Sequence, residues 1–110
     1  MKIAAWNVRG CNKAQRQMEI TSFIKRNKID IIGILETGCK AKNSDMIIKK
    51  RFNKMGFANN YDFHQNGRIW MLCDRLNFYV FVLCKIDQIH FQVKDDTISC
   101  QISFIYGKKI

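Results

Sequence analysis

Asp30-Ile31-Ile32-Gly33-Ile34-Leu35-Glu36 holds five residues without a polar side chain between two carboxylates. A strand with one wet face alternates apolar and polar positions. This stretch does not alternate, so it reads as the central strand of a sheet covered on both faces. Upstream, Lys2-Ile3-Ala4-Ala5-Trp6-Asn7-Val8-Arg9 reads as another strand, and Gly10-Cys11 as a turn. Asn12 is placed to cap a helix, with Gln15 three residues on in the capping-box position. Ile20, Phe23, Ile24 and Asn27 then follow helical spacing, with Ala14 and Met18 nearby and Arg16, Lys25 and Arg26 on the remaining surface. Strand, helix and fully apolar strand within about thirty residues make a βαβ unit with parallel strands and a right-handed crossover.

Downstream, the composition predicts a second helix over residues 45–55. Ser44 is the candidate N-cap, and Asp45 lies at the end that favours negative charge. Lys49, Lys50, Arg51 and Lys54 lie at the opposite end, Ile47, Ile48, Phe52 and Met55 form the apolar stripe, and Gly56 is placed to stop the helix. Beyond Gly56 the period changes to two. Asn66-Gly67 is a turn signal, Arg68 to Cys73 and Phe78 to Cys84 read as strands, and residues 88–94 and 97–106 alternate cleanly around an Asp95-Asp96 turn. Ile89, Phe91, Val93, Ile98, Cys100, Ile102, Phe104 and Tyr106 fall on one face, the buried face of an antiparallel meander. The fold class is therefore α+β: a βαβ unit, a helix, then antiparallel strands.

The chain has 110 residues, which suits one domain, residues 1–110. Its 47% apolar and 25% charged residues exclude a disordered chain. No apolar run is long enough to span a membrane, and the N-terminus lacks the pattern of a signal peptide. An intracellular location, nuclear or cytoplasmic, is expected. The five cysteines, Cys11, Cys39, Cys73, Cys84 and Cys100, are odd in number and irregularly spaced. Neither His64 nor His90 sits at a zinc-ligand spacing from them, so free thiols in a reducing compartment are expected.

The net charge is +10. Residues 1–55 carry 13 basic and 4 acidic side chains (+9), and residues 56–110 carry 6 and 5 (+1). The excess points to a polyanionic partner and puts it on the βαβ half. Lys49, Lys50, Arg51 and Lys54 read as a solvated helix surface. Arg9, Lys13 and Lys40 follow the strand ends and are better placed to meet a phosphate backbone. Binding of a polyanion such as a nucleic acid there should be largely independent of its sequence and weaken steeply with salt.

Parallel strands present their carboxyl ends on one sheet edge, where open α/β sheets place ligands. Asn7 and Glu36 both fall there. A carboxylate with an amide beside basic residues suits Mg²⁺, which takes one or two protein carboxylates and fills its shell with water and phosphate oxygens. The plainer alternative is that Glu36 ends its strand facing solvent and Asn7 makes a turn.

Trp6-Asn7-Val8-Arg9-Gly10, then Ile34-Leu35-Glu36-Thr37, then Phe104-Ile105-Tyr106-Gly107 together resemble the endonuclease/exonuclease/phosphatase superfamily. The form is that of the N-terminal endonuclease domain of plant LINE-type, non-LTR retrotransposons. The resemblance runs over the whole chain, including Arg68-Ile69-Trp70. It implies the N-terminal half of a four-layer, DNase I-like α/β-sandwich. It implies a catalytic role beside the scissile phosphate for Asn7, a catalytic Mg²⁺ (or Mn²⁺) on Glu36, and a phosphate contact from Tyr106. The family's water-activating histidine and aspartate lie in later GDFN-like and SDH-like segments, which this sequence lacks. His90 falls on the polar face of its strand and His64 in a loop, so neither replaces them. Gly38 stands where a basic residue is common, Lys108-Lys109 where an asparagine often follows, Cys73 in place of an aromatic residue and Cys11 in place of an aliphatic one. The pattern reads as a truncated, mutationally decayed copy of a Mg²⁺-dependent DNA endonuclease, inactive or nearly so. A non-catalytic nucleic-acid-binding module and a functionless remnant stay open beside it. Half a sandwich should also expose an apolar sheet face prone to self-association.

Overall fold

The computed structural model describes residues 2–59, 61, 69–74, 79–85, 88–94 and 99–105. The Asn66-Gly67 and Asp95-Asp96 turns, Arg68, His64 and Tyr106 lie outside the described residues. The decisive apolar stretch forms β2 (Ile31–Leu35), with β1 (Ile3–Asn7) parallel to it along one edge. The linking helix α1 covers Ala14–Asn27. A second helix α2 covers Ala41–Arg51, and β3 (Met55–Asn59) and β4 (Ile69–Asp74) follow. β4 inserts antiparallel between β2 and β3, so the first sheet has the order β1-β2-β4-β3. The meander of β5 (Tyr79–Lys85), β6 (Gln88–Lys94) and β7 (Ser99–Ile105) forms a separate three-stranded antiparallel sheet.

β2 is buried on both faces, as its sequence requires. Ile32 and Ile34 face one core with Ile20 and Ile24 of α1, Ile48 of α2, and Trp70 and Leu72 of β4. Ile31 and Leu35 face the other core with Ile69, Met71, Ile89, Ile102 and Phe104, which joins the two sheets. Each isoleucine so buried contributes about 1.5–3 kcal/mol. Gly33 gives this second core its shape. A Cβ built on it would meet the Phe104 ring at 2.5 Å, so the ring lies directly over the glycine backbone. Across the first core, Trp6 packs on Phe23 with ring centroids 5.3 Å apart and tilted by 54°, an arrangement aromatic pairs favour. The alternation expected in the meander holds at β7, where Ser99, Gln101 and Ser103 are exposed and Phe104 is buried. No helix among the described residues is long and apolar enough to cross a membrane.

Three local expectations need correction. Lys13, not Asn12, is the N-cap of α1, and no side chain caps it. Asn12 instead donates to the Gly38 carbonyl at 2.9 Å, so its amide joins two loops rather than closing its own helix. Ala14 and Met18 are exposed, and the buried positions of α1 are Gln17, Ile20 and Ile24. Second, α2 begins four residues earlier than expected, with Lys40 as N-cap. Ser44 lies inside it, 1% exposed, and its hydroxyl has no hydrogen-bond partner. Third, the helix ends at Arg51 with Phe52 as C-cap, and Met55 and Gly56 open β3 rather than closing a helix. Arg51 is half-buried and its Nε donates to Gln17 Oε1 at 3.2 Å, so it ties the helices instead of lying on a solvated surface. Local charge and capping signals misplaced the start because Ser44 is buried by packing.

Ser44→Ala tests this placement. Loss of an N-cap would cost about 1 kcal/mol. Removal of a buried, unpartnered hydroxyl from a helix interior should leave stability unchanged or raise it by up to about 1 kcal/mol. Thermal or denaturant unfolding of the variant distinguishes the two.

Candidate metal and phosphate site at the strand ends

The parallel pairing of β1 and β2 has a constant offset: Ile3 faces Ile31 and Asn7 faces Leu35, 28 residues on each time (31 − 3, 35 − 7). The pairing does not stop where the strands stop. Val8 N–H donates to Leu35 O at 3.0 Å, Gly10 N–H to Glu36 O at 2.7 Å and Cys11 N–H to Thr37 O at 2.9 Å. The β1–α1 and β2–α2 loops therefore leave the sheet as one zipped unit. Asn7 and Glu36 sit at its base, at the carboxyl ends of both parallel strands.

The zipped loops are built from left-handed backbone. Arg9 (φ 50°), Gly10 (φ 102°), Glu36 (φ 54°) and Gly38 (φ 66°) all have positive φ. Gly38 lies against the other loop, where a Cβ would sit 3.4 Å from Gly10 Cα, and its positive φ is what favours glycine. Glu36 is the informative case. Regular alternation beyond Ile32 and Ile34 would send residue 36 toward the helix-covered core. The left-handed turn breaks that alternation, and Glu36 is half-buried. For a residue with a Cβ this conformation costs about 1–2 kcal/mol. Strain held at such a position points to a functional constraint.

Asn7 is exposed, and its Oδ1 accepts the Arg9 N–H at 3.3 Å. That bond leaves the amide oxygen a second lone pair, open to another donor or to a cation. Arg9, Lys13 and Lys40 are all exposed on the same two loops, with Lys13 and Lys40 at the N-caps of α1 and α2. Arg9, Asn12, Lys13 and Arg16 line a cleft of about 440 Å³ beside the first turn of α1. Arg16 is paired with Glu19 at 2.9 Å, which leaves Arg9 and Lys13 as the cleft's outward cations. Lys49 and Lys50 are exposed on α2, as the solvated-surface reading expects.

The donor set decides what the site can hold. Among the described residues, no three His, Cys, Asp or Glu side chains group into a metal cage. One carboxylate and one amide oxygen are hard donors that fit Mg²⁺, which keeps most of its water and recruits substrate phosphate. They do not fit a structural zinc site.

The structure thus brings Asn7, Glu36, Arg9, Lys13 and Lys40 to one sheet edge. His90 lies in β6 at the register position between Leu83 and Ser103. Four further residues shape the loops. Gln17 is buried and donates to the carbonyls of Cys11 (2.9 Å) and Asn12 (3.1 Å). Tyr61 donates to Cys39 O at 2.6 Å and accepts from Trp70 Nε1 at 3.3 Å. Cys11 and Cys39 meet beneath the loops, with their sulfurs 3.6 Å apart. The signal for that pair was arithmetic: 39 − 11 is the same 28-residue offset that pairs the strands.

The strain at Glu36 can be measured. Glu36→Gly should be more stable than Glu36→Ala by about 1 kcal/mol, because only glycine accepts the left-handed backbone without cost. Equal melting of the two variants would show that the position carries no strain.

No protein-family model matches the sequence, and no curated protein matches it. A solved structure does match its fold: an endonuclease/exonuclease/phosphatase family protein from Leptotrichia buccalis C-1013-b. The two share 11% identity with a TM-score of 0.57, over 98% of this chain and 54% of that one. The likeness shows the fold alone: this chain has the α+β architecture of part of a DNase I-like protein and spans about half that structure's length.

Proposed function

We propose that the chain is the metal-binding half of a Mg²⁺-dependent phosphodiesterase of the endonuclease/exonuclease/phosphatase type, derived from a LINE-type retrotransposon endonuclease. It binds DNA through its backbone and has little or no nicking activity of its own. The observation that supports this most is the strained Glu36 zipped beside Asn7 at the carboxyl ends of two parallel strands. The fold likeness over nearly the whole chain agrees with it.

Mg²⁺, when bound, neutralises charge on phosphoryl oxygens. Glu36 would hold it, with the Asn7 amide oxygen as second protein donor. The Asn7 carboxamide, oriented by the Arg9 N–H, offers its NH₂ to a phosphate oxygen. Arg9, Lys13 and Lys40 hold the backbone of the nucleic acid by charge, without reading bases. Tyr106 is proposed as a further phosphate contact on the family resemblance alone. The residues named above do not activate water: neither a carboxylate engaged with a cation nor an amide serves as general base, which is why little nicking is expected of them. Three exposed cations around one edge also favour a second reading, a non-catalytic nucleic-acid-binding module.

A gel-shift series and a supercoiled-plasmid nicking assay, each with and without Mg²⁺, test these readings. Three phosphate contacts give a salt slope of about −2.7, or roughly a 40-fold loss of affinity between 50 and 200 mM salt. Neutralising Arg9, Lys13 and Lys40 together should flatten that slope. Binding unchanged by salt would contradict DNA contact at this edge. Binding that is indifferent to Mg²⁺ and to Glu36→Ala selects the non-catalytic module. Robust nicking lost in Glu36→Ala would overturn the proposed inactivity.

A further inference from the structure

Cys11 and Cys39 are both 0% exposed, and their Sγ atoms are 3.6 Å apart. Both sulfurs approach the same acceptor, the Thr37 carbonyl, at 3.4 and 3.3 Å. Their backbones are already zipped by the Cys11 N–H to Thr37 O bond of 2.9 Å. Each cysteine follows a glycine with positive φ, Gly10 or Gly38, which gives each loop a position able to absorb a small movement. Their sequence neighbours Asn12, Gly38 and Lys40 are exposed.

We propose that Cys11 and Cys39 form an oxidation-sensitive dithiol whose conversion to a disulfide by hydrogen peroxide locks the β1–α1 loop to the β2–α2 loop. A disulfide needs the sulfurs at about 2.05 Å, so closing the gap takes a shift of roughly 1.5 Å shared by the two loops. The pair is also polarised. The contact between the two sulfurs holds Cys39 below the ordinary thiol value against the opposing effect of burial. The same contact and burial push Cys11 far up. Cys39 is thus the attacking sulfur and Cys11 the resolving one. In the first step the Cys39 thiolate attacks one peroxide oxygen, the O–O bond breaks, and Cys39 sulfenic acid and hydroxide form. In the second, the Cys11 sulfur attacks the sulfenic sulfur, the S–O bond breaks and the S–S bond forms. The thiol proton leaves with the hydroxyl as water. Two electrons pass from the two sulfurs to peroxide, and two waters form overall.

The bond would join the loops that carry Asn7, Arg9, Glu36 and Lys40, so it would fix the spacing of the proposed site. Cys73 and Cys100 belong instead to the core between the sheets.

Peroxide treatment of the native chain, followed by intact-mass measurement and tryptic mapping, tests the proposal. The expected product is lighter by about 2 Da, reversible by dithiothreitol, with Gly10–Lys13 linked to Ile29–Lys40. That linkage should exceed any other cysteine pair at least tenfold, and the excess should vanish when oxidation is done in denaturant. Cys39→Ser should leave Cys11 unmodified at the same dose. If that variant does not fold, the wild-type map decides alone. Sulfinic or sulfonic acid at Cys39 without the linked peptide, preferential linkage through Cys73, Cys84 or Cys100, or unchanged thiols at both positions would each overturn the proposal.

Discussion

The structure depends on β2 being covered twice. Ile32 and Ile34 bury into the helix-covered core, while Ile31, Leu35 and the bare backbone of Gly33 meet the second sheet through Phe104. A strand so enclosed must satisfy its backbone on both edges, and it does so with β1 on one side and β4 on the other. Register matters here because a one-residue slip would put an isoleucine side chain where the Phe104 ring lies over Gly33. The β1 register then extends beyond the strands and determines which loop residues meet.

From that register follows the local chemistry. An offset of 28 residues brings the end of β1 to the end of β2, Gly10 beside Gly38 and Cys11 beside Cys39. Glu36 ends the regular pleat of β2 in a strained left-handed turn. The cations cluster at the same edge because Lys13 and Lys40 are the N-caps of α1 and α2, and Arg9 lies in the first turn after β1. The same loops hold the proposed Mg²⁺ donors, the proposed phosphate contacts and the dithiol beneath them.

Much of this was legible in the sequence. The unbroken apolar run of β2 implies cover on both faces, and the βαβ pattern alone puts Asn7 and Glu36 at one sheet edge. What was not legible depended on tertiary choices. Ser44 and Asn12 have the chemistry of N-caps, but the packing of Ile48 and Phe52 set the start of α2 earlier, and Asn12 found a better partner in Gly38 O. β3 was missed because Met55-Gly56-Phe57-Ala58-Asn59 has neither strict alternation nor strong strand formers throughout. Its pairing with β4 supplies what its sequence does not. The separation of the meander into a second sheet was hidden as well, since alternation describes one buried face without saying which strands share a sheet.

The central claim is that the zipped strand ends hold a divalent cation on Glu36 and Asn7. Backbone amide NMR during a Mg²⁺ titration of the whole chain tests it most directly. The account predicts shifts confined to the amides of residues 7–10 and 36–38, lost in Glu36→Gln. Stationary amides at those positions, or shifts centred instead on Asp30, Asp45 or Asp74, would contradict it.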